Sequence, residues 1–231
     1  MTKRIDFNRL YLSDQGWLQS RFHFSFAEYY NPSNIHYGAL RVMNDDIVQP
    51  RNGFGTHPHR DMEIFSYVLD GELTHADSMG NVETLRRGDM QYMSAGTGIW
   101  HSEMNETDKP IRFIQTWIMP DRAGITPRYG SARFDKEQRR NKWLCMIGNE
   151  EAVSLNQDVS VYVSELESGG DLKLSIRGDR LGYVKVMEGS ADINGVSLQR
   201  GDAAMIESEP IAIKAMSDAH IMAIEVARLK R

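Results

Sequence analysis

The sequence predicts an all-β protein made of two similar β domains in tandem. Three observations point there: apolar and polar residues alternate with period two, glycine turns follow one another closely, and a turn motif from the first half returns in the second. Along the chain, Phe22, Phe24 and Phe26 alternate with His23 and Ser25, the pattern of a half-buried strand. Gly53 and Gly55, and later Gly96 and Gly98, sit just ahead of two polar clusters, where tight turns would deliver a strand into a barrel mouth. Asp70-Gly71, Met79-Gly80-Asn81 and Arg87-Gly88-Asp89 are turns of the kind that join antiparallel strands. Pro120, Gly124, Pro127 and Gly130 then interrupt the pattern, so the domain boundary is expected between Pro120 and Lys142. One short amphipathic helix is expected near Arg133 to Lys142. Strand character resumes where Val159, Val161 and Val163 alternate with Ser160, Tyr162 and Ser164, and turns return at Gly169-Gly170, Glu188-Gly189, Asn194-Gly195 and Arg200-Gly201-Asp202.

The repeat pairs Val68-Leu69-Asp70-Gly71 and Arg87-Gly88-Asp89 with Val186-Met187-Glu188-Gly189 and Arg200-Gly201-Asp202. The glycines are 17 residues apart in the first copy (71 to 88) and 12 in the second (189 to 201), a difference one hairpin loop absorbs. Short strands at regular spacing suggest a sandwich or barrel for each domain. The expected domains are residues 1–125, carrying a metal site, and 126–231, without one.

Composition narrows the function. With 27 basic and 32 acidic residues the formal charge is −5, which argues against a surface built to neutralise phosphates. Arg139-Arg140 and Lys230-Arg231 read as isolated, solvated charges, so direct nucleic-acid binding is not expected. The single cysteine, Cys145, cannot form an intrachain disulfide or a thiolate-rich metal site, and reads as a small core residue. No apolar stretch follows the charged first ten residues, and none approaches the roughly 20 residues of a membrane helix. A cytoplasmic protein with no membrane association is expected.

Chemistry concentrates in Gly53-Phe54-Gly55-Thr56-His57-Pro58-His59-Arg60-Asp61-Met62-Glu63. On a strand, His57 and His59 point to one face and can chelate one ion. His101-Ser102-Glu103 repeats that geometry. If its strand lies opposite the first across a barrel interior, three imidazoles and one carboxylate converge, a donor set that suits a divalent first-row metal and leaves two octahedral positions open. Counting back from Gly189 as from Gly71 puts Ser175, Arg177 and Leu181 where His57, His59 and Glu63 stand. Counting forward from the Arg-Gly-Asp turns puts Lys214 and Met216 at His101 and Glu103, unless a gap intervenes. No ligand survives in the second half, so one metal per chain is expected.

The chain resembles the pirin family of the cupin superfamily. The resemblance rests on Phe22-His23-Phe24-Ser25-Phe26-Ala27-Glu28-Tyr29-Tyr30-Asn31-Pro32, Leu40-Arg41-Val42-Met43-Asn44-Asp45-Asp46, Gly55-Thr56-His57-Pro58-His59-Arg60-Asp61-Met62-Glu63 and Met93-Ser94-Ala95-Gly96-Thr97-Gly98-Ile99-Trp100-His101-Ser102-Glu103. These motifs span most of the first 120 residues, and the back half matches chiefly through its glycine turns. The resemblance implies two jelly-roll cupin barrels in tandem, a bicupin, with one divalent metal, most often Fe2+, held by His57, His59, His101 and Glu103. It also implies either a dioxygenase cleaving a flavonol such as quercetin with O2, or a metal- or redox-sensing regulator that binds a protein partner.

Within the dioxygenase reading, Glu103 doubles as the base that takes the flavonol hydroxyl proton. The general cupin pattern His-x-His-x3-Glu would instead recruit Glu63, whose parity with His57 and His59 lets it point inward. The pirin resemblance favours Glu103 and leaves Glu63 in support, while a bulge at Asp61 would reverse the parity. Phe54, Met93, Gln115 and Trp117 are candidate pocket walls, though Met93 and Trp117 also fit as barrel core. His75 and Asp77 fit a turn as well as a pocket, and His23, His36 and His220 read as structural or surface residues.

Overall fold

The computed structural model describes residues 1–148 and 153–229, so the expected charges at Lys230-Arg231 lie outside the described residues. The strands run β1 (Thr2–Ile5), β2 (Tyr11–Asp14), β3 (Leu18–Phe22), β4 (Leu40–Val48), β5 (Gly53–His59), β6 (Glu63–Asp70), β7 (Glu72–Asp77), β8 (Val82–Arg86), β9 (Met90–Ser94), β10 (Ile99–Met104), β11 (Ile111–Ile118) and β12 (Arg128–Ala132). After a one-turn helix, α1 (Lys136–Arg139), come β13 (Leu144–Ile147), β14 (Val159–Leu166), β15 (Asp171–Leu174), β16 (Leu181–Glu188), β17 (Ser190–Ile193), β18 (Val196–Gln199), β19 (Ala203–Glu207), β20 (Ile211–Ala215) and β21 (Ala219–Val226). No helix among the described residues is long and apolar enough to cross a membrane.

The predicted all-β architecture is present as two jelly-roll barrels. The first pairs a seven-stranded sheet, β12-β9-β6-β11-β4-β3-β2, with a four-stranded sheet, β5-β10-β7-β8. The second pairs β1-β19-β16-β21-β14-β13 with β15-β20-β17-β18. Strand for strand, β4 to β11 and β14 to β21 share one connectivity, which is the internal repeat in three dimensions. Central strands of the larger sheets are covered on both faces. Thus β21 is buried at every position and β6 at all but its last, whereas β10 in a smaller sheet alternates.

Contacts divide the chain elsewhere than at 125/126. The first barrel comprises Tyr11–His36 and Leu40–Phe134, while Met1–Leu10 and Tyr37–Ala39 join the stretch from Asp135 onward in the second. The reason lies at the sheet edges. Strand β1 pairs with β19 through Thr2↔Ile206 to Ile5↔Ala203, and β12 pairs with β9 through Arg128↔Ser94 to Ala132↔Met90. Each barrel therefore covers one edge with a strand from outside its own repeat.

Other expectations shift locally. The expected helix shrinks to Lys136–Arg139, because Arg140 is extended and Asn141 is left-handed at φ 54°. Arg139 is buried and ion-paired with Glu165 at 3.0 Å, and Arg140 with Glu167 at 2.5 Å, so neither charge is isolated. The strand at Phe22 to Phe26 stops at Phe22. Cys145 is half-buried on the edge strand β13 and not in a core.

Candidate metal centre

Inside the first barrel, two apolar clusters flank a polar belt. Leu18, Val48, Val68, Leu73, Leu85, Ile111 and Phe113 form one cluster; Ile64, Met93, Ala95 and Ile99 form the other. Between them, inward positions of the larger sheet carry Asn44, Asp46, Ser66, Gln91 and Gln115, all buried. Strands β5, β7 and β10 of the smaller sheet bring His57, His59, His75, His101 and Glu103 to the same level.

β5 and β10 are hydrogen-bonded neighbours in one sheet, and not opposite walls of the barrel as the sequence suggested, with His101 directly across from His57. Facing residues on one side of an antiparallel pair lie about 4.5–5.5 Å apart, close enough to share an ion. His101 Nε2 is 3.1 Å from His57 Nε2. Ring centroids are 4.5 Å apart for His57 and His101, and 4.8 Å for His59 with each of the other two. One nitrogen from each ring falls within 4.8 Å of the others, the metal-capable group among the described residues.

This donor set fits a divalent ion. Two imidazole nitrogens bound about 2.1 Å from one ion at a right angle are about 3 Å apart, close to the spacing of His57 and His101. His57 Nδ1 lies 2.7 Å from the Gly55 carbonyl, which accepts its hydrogen and leaves Nε2 as the ligand atom. Burial, with His57 nearby, pushes His59 down to about 4 and His101 lower still. Both rings are therefore neutral and able to ligate at physiological pH.

Local backbone makes this possible. The register of β5 against β10 slips between His101 and Glu103, so Glu103 faces Phe54. Next to the slip, a Cβ on Gly53 would stand 2.3 Å from the Glu103 carbonyl oxygen and 2.6 Å from Met104 Cα. Only glycine lets the strands close there. Gly53 and Gly55 thus lie inside β5 and not in a turn before it, whereas Gly96 does turn, at φ 45°, with the Ile125 carbonyl oxygen 2.0 Å from where its Cβ would be.

The two carboxylates separate. Glu103, on the same face of β10 as His101, is buried and accepts hydrogen bonds from Ser66 Oγ (2.7 Å), Gln91 Nε2 (2.5 Å) and Gln115 Nε2 (2.6 Å). Burial raises its affinity for a proton, and the hydrogen bonds and the nearby His75 and His57 oppose that rise. Its oxygens stand outside the group of three ligating nitrogens. Glu63 begins β6 in the other sheet, beyond a left-handed Asp61 (φ 47°), and accepts from Ser94 Oγ at 2.6 Å. The break at Asp61 carries it away from the histidines, so parity with His57 does not persist.

A cavity of about 400 Å³ opens beside His57 and His59. Phe54, Gln115 and Trp117 line it as expected, but Met93 is core. The sequence reading missed Trp17, Ser20, Phe22, Phe26, Asn44 and Asp46, which also line it. Two aromatic pairs stiffen the walls: Trp17 with Phe54 at 5.3 Å, and Phe26 with Trp117 at 5.3 Å, both edge to face. The signal for the polar members was the interruption of β4, where Asn44 and Asp46 share a face with Val42 and Val48.

Of the two roles weighed for His75 and Asp77, the turn is the one present, and neither residue lines the cavity. Asp77 Oδ1 accepts from the Met79 and Asn81 backbone and closes a turn, while Oδ2 lies 3.2 Å from His75 Nε2. His75 is stacked on Tyr129 at 4.2 Å and borders His101 at 5.4 Å. His23 and His220 are buried away from the group, and His36 is exposed.

Comparison with known proteins agrees with this architecture. The Pirin family model matches residues 5–118, and a model described as the quercetinase C-terminal cupin domain matches 136–226. The chain is 41% identical over 216 residues to a quercetin 2,3-dioxygenase of Escherichia coli, covering 93% of this chain and 94% of that one. It is 40% identical over 232 residues to a pirin-like protein of Caulobacter vibrioides, covering 98% and 100%. The crystal structure of YhhW from Escherichia coli superposes with a TM-score of 0.94 at 38% identity over the whole of both chains. A structure of bacterial pirin YhhW in complex with nickel(II) gives 0.93 at 37% identity, covering 99% and 100%.

Proposed function

The chain belongs to the pirin family of cupin proteins, and we propose that it is a metal-dependent dioxygenase that cleaves a flavonol such as quercetin with O2. The observation that carries this reading is the meeting of three imidazoles at the edge of an aromatic-walled cavity. Its relatives' names supply the substrate class, and the nickel(II) complex of a relative supports a bound metal. We assign His57, His59, His101 and Glu103 as the ligands and Fe2+ as the native ion, in a site whose donors accept other first-row metals as well.

A divalent ion held there would supply Lewis acidity toward the substrate's oxygen donors. The protein's own groups do the rest. Glu103, two residues from His101 on the same face of β10, accepts the proton of the flavonol 3-hydroxyl. Gln115 steadies it, donating to its Oε2 while its own Oε1 accepts from Trp117 Nε1 at 3.2 Å. Trp17, Phe54, Phe26 and Trp117 hold a planar ring system and keep water from it.

Oxygen consumption with quercetin, measured before and after chelation, tests the reading. Uptake accompanied by carbon monoxide release, lost on chelation and restored by Fe2+, is the expected result. Metal-loaded protein that consumes no oxygen with any of several flavonols would overturn it.

A further inference from the structure

Most polar groups around the cavity are already engaged. Gln115 is bonded to Glu103 and Trp117, Ser20 Oγ donates to Asp46 Oδ1, and His57 and His59 belong to the metal group. Two oxygens remain. Asn44 Oδ1 and Asp46 Oδ2 are buried and have no hydrogen-bond partner among the described residues. Their residues, 2% and 1% exposed, stand at alternate positions of β4, both lining the cavity on the sheet facing the histidines. A buried acceptor without a partner costs about as much as a lost hydrogen bond, so such a pair calls for an occupant that supplies the hydrogens.

We propose that Asn44 and Asp46 read ring hydroxyls of the substrate, so that the cavity selects polyhydroxylated flavonols over those carrying the 3-hydroxyl alone. This rests on the dioxygenase reading and names the substrate class within it. The rest of the lining points the same way. Trp17, Phe22, Phe26, Phe54 and Trp117 fit a flat aromatic body, while Glu103 near Asp46 disfavours an anionic group at that wall. Asp46 is held toward its neutral form, pushed up to about 8 by burial. A hydroxyl suits it in either state, because a hydroxyl both donates and accepts. Sites built to hydrogen-bond a hydroxyl reject analogues that lack it, since their buried groups are then left unpaired.

The test is binding without turnover. Metal-loaded protein is titrated in the absence of O2 with three probes: quercetin, the 5,7-dihydroxyflavonol without B-ring hydroxyls, and unsubstituted 3-hydroxyflavone. An apolar slot alone would rank the unsubstituted probe tightest, because it has least to desolvate. The proposal predicts the reverse, with quercetin binding about ten- to a hundredfold more tightly than 3-hydroxyflavone. The middle probe assigns the contacts to the A ring or the B ring. Asp46→Ala and Asn44→Ala should each narrow the gap about tenfold at unchanged metal content, while Asp46→Asn, whose amide still pairs with a hydroxyl, should largely keep it. Equal binding of the three probes by the wild type would overturn the proposal and leave the dioxygenase reading standing. Failure of all three to bind would overturn both. If an alanine variant does not fold, the wild-type series and Asp46→Asn decide the matter.

Discussion

Glu103 accepts hydrogen bonds from Ser66, Gln91 and Gln115, so a glutamine there keeps the shape of the site but loses the charge and the proton-accepting oxygen. Glu103→Gln should lower quercetin turnover about a hundredfold or more and reduce bound metal far less, as read by oxygen uptake and metal analysis of one preparation. Loss of metal in step with activity would mean that the carboxylate acts chiefly as a ligand. Asp46 makes a pH prediction. Its carboxyl is raised from 3.8 to about 8 in the folded chain, so between those values the folded state holds a proton that the unfolded state has released. Its contribution is fully present below the lower value and is lost as pH rises through the upper. Asp46→Asn should therefore gain thermal stability relative to the wild type between about pH 5 and pH 8.5; a constant difference would contradict the assignment. The histidines were legible in the sequence because His101-Ser102-Glu103 repeats the spacing of His57-Pro58-His59, where a single such pair would have been weak evidence. Asn44 and Asp46 were not, because in Leu40-Arg41-Val42-Met43-Asn44-Asp45-Asp46 three polar residues follow one another, and only the strand's register says which two face inward.

At the scale of elements, the site depends on how closely β5 approaches β10. Gly53→Val would force a side chain against the Glu103 carbonyl and Met104. It should cost about 1–3 kcal/mol of stability and lower metal affinity, measured by thermal unfolding and metal retention; unchanged retention would show that the approach at Gly53 does not set the spacing of His57 and His101. Strand identities were legible wherever one face meets water. The strand expected at Val159 to Val163 is β14, although Ser160 is buried there along with the valines, and the glycine turns between β6 and β9 recur between β16 and β19. Pairing partners were not legible. Nothing local in Thr2–Ile5 says that it completes an edge of the second barrel beside β19, because a strand's partner is set by tertiary packing and not by its own period. The same limit hid the adjacency of His57 and His101, which was expected across the barrel and is found along one sheet. It also hid the shortness of α1, where Asn141 turns left-handed after barely one turn.

Across the whole molecule, the repeat shows what distinguishes a site from a scaffold. Strand register carries Ser66, Gln91 and Gln115 onto Val184, Ala204 and Ala223, and His75 onto Ile193. It puts Glu103 and His101 on Ile213 and Ile211, with Leu174 opposite Ile211 as His57 is opposite His101. Counting from the turns had given Lys214 and Met216, because the second copy shortens a loop; the absence of ligands holds with different residues. All of these except Leu174 belong to one aliphatic core, and Leu174 packs against it. The second barrel thus fills with methyl groups the level that the first gives to polar chemistry, which supports a single metal in each chain. Oxygen uptake with quercetin, measured beside bound metal for the wild type and for His59→Ala, tests this most directly. The account predicts about one metal per chain with metal-dependent uptake and carbon monoxide release in the wild type, and the loss of both metal and uptake in His59→Ala. Full uptake by a His59→Ala protein stripped of metal would contradict it.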